Sequence, residues 1–227
     1  MDLSITGRVF DPRNLKPERL PSGLDGWLLV EFDNLALNIL ESKTKLDFSV
    51  PKCAVEEVIY VVKGYLEYSD GRIARAGEAL VNVPGTPQQG SYVGKLASFR
   101  VRPETHLPKA DPDLAKRVIK VNDIVPIQPV PGSRSYLKVI VVTGNFYLGL
   151  NERETTGGVR AKGVPTSHPE KEIVYQLQGQ QTYDNGRVLN PGRAIVNLSN
   201  FDHPNAHTGE EYSHFLEMKA PPPPYAL

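Results

Sequence analysis

Two short stretches of the 227-residue chain carry side chains whose types and spacing could do chemistry: 168-HPEKE-172 and 203-HPNAH-207. Imidazole nitrogen and carboxylate oxygen are the donors that hold divalent first-row metals. Two histidines and one carboxylate on a single face leave positions open for water, oxygen or substrate. His168, Glu172, His203 and His207 are the residues of interest. Of the five histidines (106, 168, 203, 207 and 214), all but His106 lie in the later part of the chain. A barrel is the kind of element that could gather such residues from separate strands, because alternate residues of each strand point inward.

The elements that must position them announce themselves as a repeat. The stretch 51-PKCAVEEVIYVVKGYLEYSDG-71 aligns without a gap to 166-TSHPEKEIVYQLQGQQTYDNG-186. Glu57, Tyr60, Gly64, Tyr68 and Gly71 recur as Glu172, Tyr175, Gly179, Tyr183 and Gly186, and Arg72, Gly77, Ala79, Val81 and Asn82 recur as Arg187, Gly192, Ala194, Val196 and Asn197. Phe99 is then expected to fall beside Phe215. Local propensity cannot hold a constant offset over such a length, so the chain reads as a tandem duplication of one β unit. The expected organisation is an N-terminal extension over 1–24 packed across the first unit, units over 25–103 and 137–219, a linker over 104–136 and a proline-rich tail over 220–227.

Composition fits that reading. Twenty prolines and 19 glycines are spread along the chain. Between them lie short β-branched and aromatic runs such as 27-WLLVEF-32, 58-VIYVV-62 and 194-AIVNL-198, which have strand length and strand residues. Asp70-Gly71 and Asn185-Gly186 are type I′ hairpin signals. The best helix candidate is 112-PDLAKRVIK-120, with Asp111 or Asp113 as N-cap and a proline in the first turn. Many short strands at regular spacing predict an all-β chain of sandwich or barrel type. The formal net charge is +0, with lysine and arginine scattered, so no nucleic-acid partner is expected. The single cysteine, Cys53, admits no intramolecular disulfide. No apolar h-region and no run of about 18 apolar residues occurs, so a cytoplasmic protein with no membrane partner is expected.

Each copy resembles the cupin superfamily, whose motifs are written G-x5-H-x-H-x3-4-E-x6-G and G-x5-P-x-G-x2-H-x3-N. In the second copy Glu172 and Gly179 match the end of the first motif, and His168 stands at its second histidine position. Thr166 takes the first histidine position. Gly186, Pro191-Gly192 and His203 follow the second motif, with His207 where the family has asparagine. In the first copy Glu57 and Gly64 match, while Pro51, Cys53 and Gln88 replace the histidines. The resemblance implies tandem double-stranded β-helix (jelly-roll) barrels, a bicupin with a degenerate first site. It also implies a divalent metal (iron, manganese, nickel or zinc) held by His168, Glu172 and His203, with Glu172 and His207 as catalytic groups.

Blander readings compete. His168 could be a loop histidine, the 203–207 segment only a turn, and a glutamate present in both copies structural in both. Glu56-Glu57 is not expected to be an acid–base dyad, because adjacent strand residues point to opposite faces. The expected function is a metal-dependent enzyme, of dioxygenase type, acting on a small polar or phenolic molecule. A metal-free isomerase or epimerase, a polyketide-cyclase-like enzyme and a non-enzymatic ligand-binding barrel remain alternatives, because fold alone does not choose among them. A homodimer is expected, since exposed sheet edges are commonly covered by a partner.

Overall fold

The structure is a computed structural model describing residues 7–20, 24–50, 54–102, 111–129, 134–153, 167–202, 206–208 and 212–223. It is all-β. Strand β1 (Val9–Phe10) is followed by β2 (Glu18–Arg19), β3 (Asp25–Phe32), β4 (Leu35–Val50), β5 (Glu56–Tyr68), β6 (Ile73–Arg75), β7 (Glu78–Asn82), β8 (Gln88–Val101) and β9 (Val118–Lys120). The later half supplies β10 (Ser135–Val142), β11 (Tyr147–Arg153), β12 (Lys171–Gln178), β13 (Gln181–Tyr183), β14 (Val188–Leu189), β15 (Ala194–Asn197), β16 (Ala206–Thr208) and β17 (Ser213–Ala220). No helix among the described residues is long and apolar enough to cross a membrane.

The chain divides into two compact units. One is Pro12–Ile124 with Thr143–Asn145; the other is Met1–Asp11, Val125–Val142 and Phe146–Leu227. The first unit is a sheet ordered β2-β3-β4-β8-β5-β7-β9, with β6 paired to β5. Its core includes Leu40, Phe48, Ile59, Val61, Leu66, Tyr68, Leu80, Tyr92 and Leu96. The second unit has a sheet ordered β1-β15-β12-β17-β11-β10 and a small sheet ordered β14-β13-β16. Between these sheets lie Val174, Ile195 and Phe215 from the large one and Tyr183 and Leu189 from the small one. Each such side chain contributes about 1.5–3 kcal/mol by burial.

Segments outside the repeats are shared out differently from the sequence expectation. Val9 and Phe10 pair with Ile195 and Ala194 of the second unit. Of the expected linker, β9 pairs with β7, whereas Ile127 bridges to Leu137. The expected helix over 112–120 is also corrected. Only Pro112–Lys116 turns, as a 3-10 segment capped by the Asp111 carboxylate accepting from the Asp113 amide, and Val118–Lys120 is drawn into the sheet. Pairing with β7 outweighs a short helix that has little apolar face to bury.

The duplicated turns are real but differ from the predicted type. In the first, the Gly71 amide donates to the Tyr68 carbonyl, and the Tyr68 amide to Arg72. In the second, Gly186 donates to Tyr183 and Tyr183 to Arg187. The glycines have φ of 90° and 79°, while Asp70 and Asn185 are not among the positive-φ residues. A type I′ turn needs both central residues at positive φ, so these are three-residue loops: a type I turn closed by a glycine bulge.

Gly64 and Gly179 serve another purpose. Both have positive φ, of 85° and 69°, and both lie where a neighbouring backbone crosses closely. A Cβ on Gly64 would collide with the Val93 carbonyl oxygen, and one on Gly179 with that of Tyr212. Each close approach follows a register shift, between Val61 and Lys63 in the first unit and between Gln176 and Gln178 in the second.

Gly64→Ala and Gly179→Ala should therefore each destabilise their unit by about 1–3 kcal/mol, read from denaturant unfolding midpoints. Gly71→Ala, where a Cβ meets open space, should cost only its positive φ and fall at the low end of that range. Equal losses at all three positions would show that the backbone crossing is not what requires glycine.

Candidate functional site

Glu172 is the second residue of β12, and the register sets its neighbours: Asn197 on β15 to one side and Lys219 on β17 to the other. Directly paired residues share a face. Since Val174, Ile195 and Phe215 face the interior, so do Glu172, Asn197, Glu217 and Lys219. On β11 the same row holds Tyr147 opposite Lys219, Gly149 opposite Glu217, and Asn151 opposite Phe215. Gly149 has a local reason: the Tyr147 hydroxyl occupies the space a Cβ there would need.

The polar groups meet around the Glu172 carboxylate, which is 6% exposed. Asn197 donates its Nδ2 to Oε2. Lys219 Nζ lies 3.5 Å from Oε1 and 3.3 Å from Glu217 Oε1. Asn151 Nδ2 donates to Glu217 Oε2 at 3.1 Å. His168, just before β12, has Nδ1 2.8 Å from the Glu170 carbonyl oxygen and 3.3 Å from its carboxylate. Both are acceptors, so Nδ1 carries a proton, and Nε2 faces Glu172 Oε2 at 3.6 Å.

Burial works to raise the Glu172 pKa, but His168 and Lys219 overcome it and hold the carboxyl well below its ordinary range. The same carboxylate raises His168 against the effect of burial. Glu217 is pushed up to about 7, chiefly by burial, with the Glu172 charge adding to the effect and Lys219 opposing it. One carboxylate is thus ionised and its neighbour holds a proton near neutrality.

Of the expected residues, the structure brings His168 and Glu172 together. His203, Thr166, His106 and Cys53 lie outside the described residues. For His207 only the backbone is described: it pairs with Thr182, whereas the interior residues Gln181 and Tyr183 pair with Thr208 and Ala206. His214 pairs with Glu152 and packs edge-on to Tyr212 at 4.3 Å, on the row opposite Phe215. Glu217, Lys219, Asn151 and Tyr147 were missed. The expected match of Phe99 to Phe215 hid the first two. Phe99 pairs with Val58, and Met218 with the repeat counterpart Ile173, so Phe99 answers to Met218, Ser98 to Glu217 and Arg100 to Lys219. The alternation in 213-SHFLEMKA-220 was the available signal.

The first unit is an internal comparison. Glu57 accepts from Asn82 Nδ2 at 2.9 Å and from Ser98 Oγ, and Arg100 Nε lies 4.0 Å away. Tyr68 donates to Asn82 Oδ1 at 2.9 Å. In the second unit Asn197 Oδ1 is buried with no donor among the described residues. Interior Leu40, Val61 and Leu66 correspond by register to Asn151, Gln176 and Gln181. Gln181 donates to Gln176 Oε1, and Gln176 to Ser213 Oγ. Glu56 faces the other way and accepts from Thr143 and Asn145, so it forms no dyad with Glu57.

Among the described residues no group of three or more His, Cys, Asp or Glu is arranged to hold a metal ion. His168 and Glu172 nonetheless fit as two ligands. With Nδ1–H held on a carbonyl, Nε2 is the nitrogen that faces the carboxylate, and a proton or a metal ion can stand between the two.

No family model matches the sequence, and comparison with curated proteins finds no match. Solved structures do match. The cupin 2 conserved barrel domain protein from Leptotrichia buccalis is 13% identical with a TM-score of 0.60, covering 95% of this chain and 97% of that one. AerE from Microcystis aeruginosa is 14% identical with a TM-score of 0.64, covering 90% and 96%. Quercetin 2,3-dioxygenase from Acinetobacter baumannii is 10% identical with a TM-score of 0.61, covering 95% and 79%. At such identities the likeness carries the fold, and the fold is that of the cupins.

The Glu217 shift has a consequence for metal-free protein. A carboxyl raised from 4.5 to about 7 contributes stability that is full below pH 4.5 and is lost as pH rises to about 7. In chelator-treated protein, Glu217→Gln should escape that loss, so its melting temperature relative to wild type should rise between pH 4.5 and 8. A relative melting temperature that stays level or falls across this window would refute the raised value.

Proposed function

We propose that this chain is a bicupin whose second barrel holds one divalent metal and acts on a small polar molecule, while the first barrel serves as packed support. One observation carries this reading. The His168 Nε2 and the Glu172 carboxylate face each other at 3.6 Å inside the barrel, with Nδ1 committed to Glu170. Without metal a proton serves this pair, since the carboxylate raises His168, and a divalent cation between the two would take the proton's place. In the first barrel the counterpart Glu57 is met by Asn82, Ser98 and Arg100.

His168 and Glu172 supply two ligands, His203 is assigned as the third, and His207 as a further group at the site. A metal bound there supplies Lewis-acid or oxygen-activating chemistry. The structural neighbours include a quercetin dioxygenase, which favours dioxygenation as the reaction class. The chain's own contributions are separate. Asn197 orients Glu172, Lys219 balances its charge, and Asn151 and Lys219 hold Glu217 where it can accept or release a proton beside the ligand. The apolar wall of Val174, Ile195 and Phe215 excludes water.

A metal-free proton-transfer enzyme is the second reading, favoured by the Glu172–Lys219–Glu217 arrangement itself. Metal content separates the two. Wild-type protein reconstituted with iron, manganese, nickel or zinc should hold about one ion per chain. His168→Ala and Glu172→Gln should each weaken that binding by more than about tenfold, beyond the usual loss for groups that only support a ligand. Glu57→Gln should leave it unchanged. Uptake that survives both second-barrel substitutions places the metal elsewhere, and wild-type protein that binds none leaves the proton-transfer reading.

A further inference from the structure

We propose that the second-barrel site takes a small organic acid bearing a hydrogen-bond donor, of the hydroxy-acid class, and that Lys219 is the residue that selects its negative charge. This deepens the metal-centre reading and rests on it.

Charge comes first. Among the described residues the ionised Glu172 is balanced by the Lys219 ammonium, which lies 3.5 Å from it and 3.3 Å from Glu217. A divalent ion at His168 and Glu172 would give that balanced cluster a positive excess. The Glu172 carboxylate is then shared between metal and ammonium, so its hold on Lys219 weakens. Unbalanced charge in a buried, low-dielectric interior is costly, and a bound anion removes it. The first barrel has no such need, because Glu57 faces Arg100 one to one at the same register position.

The donor requirement comes from Asn197. Its Nδ2 is committed to Glu172, which fixes the amide orientation and leaves Oδ1 as the acceptor. That oxygen is buried and has no donor among the described residues. Its first-barrel counterpart, Asn82 Oδ1, is satisfied by the Tyr68 hydroxyl. A ligand hydroxyl or N–H fills the same role in the second barrel. The interior changes from Leu40, Val61 and Leu66 to Asn151, Gln176 and Gln181 point the same way: the first barrel is filled with its own apolar side chains and the second is lined for a polar guest.

The test uses manganese-loaded full-length protein, with metal occupancy read by elemental analysis and ligand binding by titration calorimetry. The probes are glycolate, acetate and glycolamide. Glycolate should bind tightest. Acetate, lacking the donor, and glycolamide, lacking the charge, should each bind about tenfold more weakly, the scale of one lost charge-assisted or buried hydrogen bond. Lys219→Met should abolish the preference for glycolate over glycolamide while keeping or raising manganese occupancy, because the ammonium no longer competes for Glu172. Lys219→Arg keeps the charge and should keep the preference, which separates charge selection from mere packing. Glycolamide binding as tightly as glycolate, acetate doing so, or Lys219→Met retaining the anion preference overturns the proposal. Wild-type protein that takes up no manganese, iron, nickel or zinc overturns the metal-centre reading beneath it and removes this one with it. That result appears in the metal analysis before any ligand is added.

Discussion

A buried glutamate inside each barrel is the constraint around which the rest is arranged. An ionised carboxylate withdrawn from water has to be met by donors or positive charge, or it takes up a proton. In both units the same residue answers first: an asparagine on the adjacent strand, directly paired, donating its amide to the glutamate. A cation on the other neighbouring strand, Arg100 or Lys219, answers second. Past that three-strand register each copy reaches a positive-φ glycine, Gly64 or Gly179, where a neighbouring backbone passes closely.

On that common frame the two barrels have been filled differently. The first has apolar side chains at Leu40, Val61 and Leu66, and a tyrosine hydroxyl closing the polar network on Asn82. The second has Asn151, Gln176 and Gln181, a second carboxylate where the first has Ser98, and an asparagine oxygen left without a donor among the described residues. Polar groups of this kind lower stability relative to a well-packed apolar core, so their concentration in one copy argues for use rather than for folding. The difference between the copies thus extends well beyond the position where one has His168 and the other Cys53. His168 belongs to a set of differences by which polar side chains in the second copy stand where the first has apolar ones.

The His168–Glu170–Glu172 geometry shows how local sequence serves that difference. The turn before β12 brings the Glu170 carbonyl to Nδ1, and the strand then carries Glu172 to Nε2. Such a short segment sets an imidazole against a carboxylate without help from distant strands. Everything else at the site, from Asn197 to Lys219, comes from strands that only the sheet brings near.

Much of this was legible in the residues. The fixed offset between copies, with its glycines, its turn signals and its paired Glu57/Glu172 and Asn82/Asn197, determined an all-β duplicated chain. His168 and Glu172 stood out because they are local to each other. The rest depended on pairing across the sheet. Glu217 and Lys219 could be recognised only once β17 was in register with β12, because the offset between copies grows after β16 and similarity of Phe99 to Phe215 points to the wrong match. The turn type and the fate of residues 112–120 were likewise decided by competition between neighbouring strands and local preference. Sequence determined which side chains alternate along each strand. The tertiary structure decided which strands lie side by side, because backbone hydrogen bonds carry no residue identity and register is set by how two sheets close on one core.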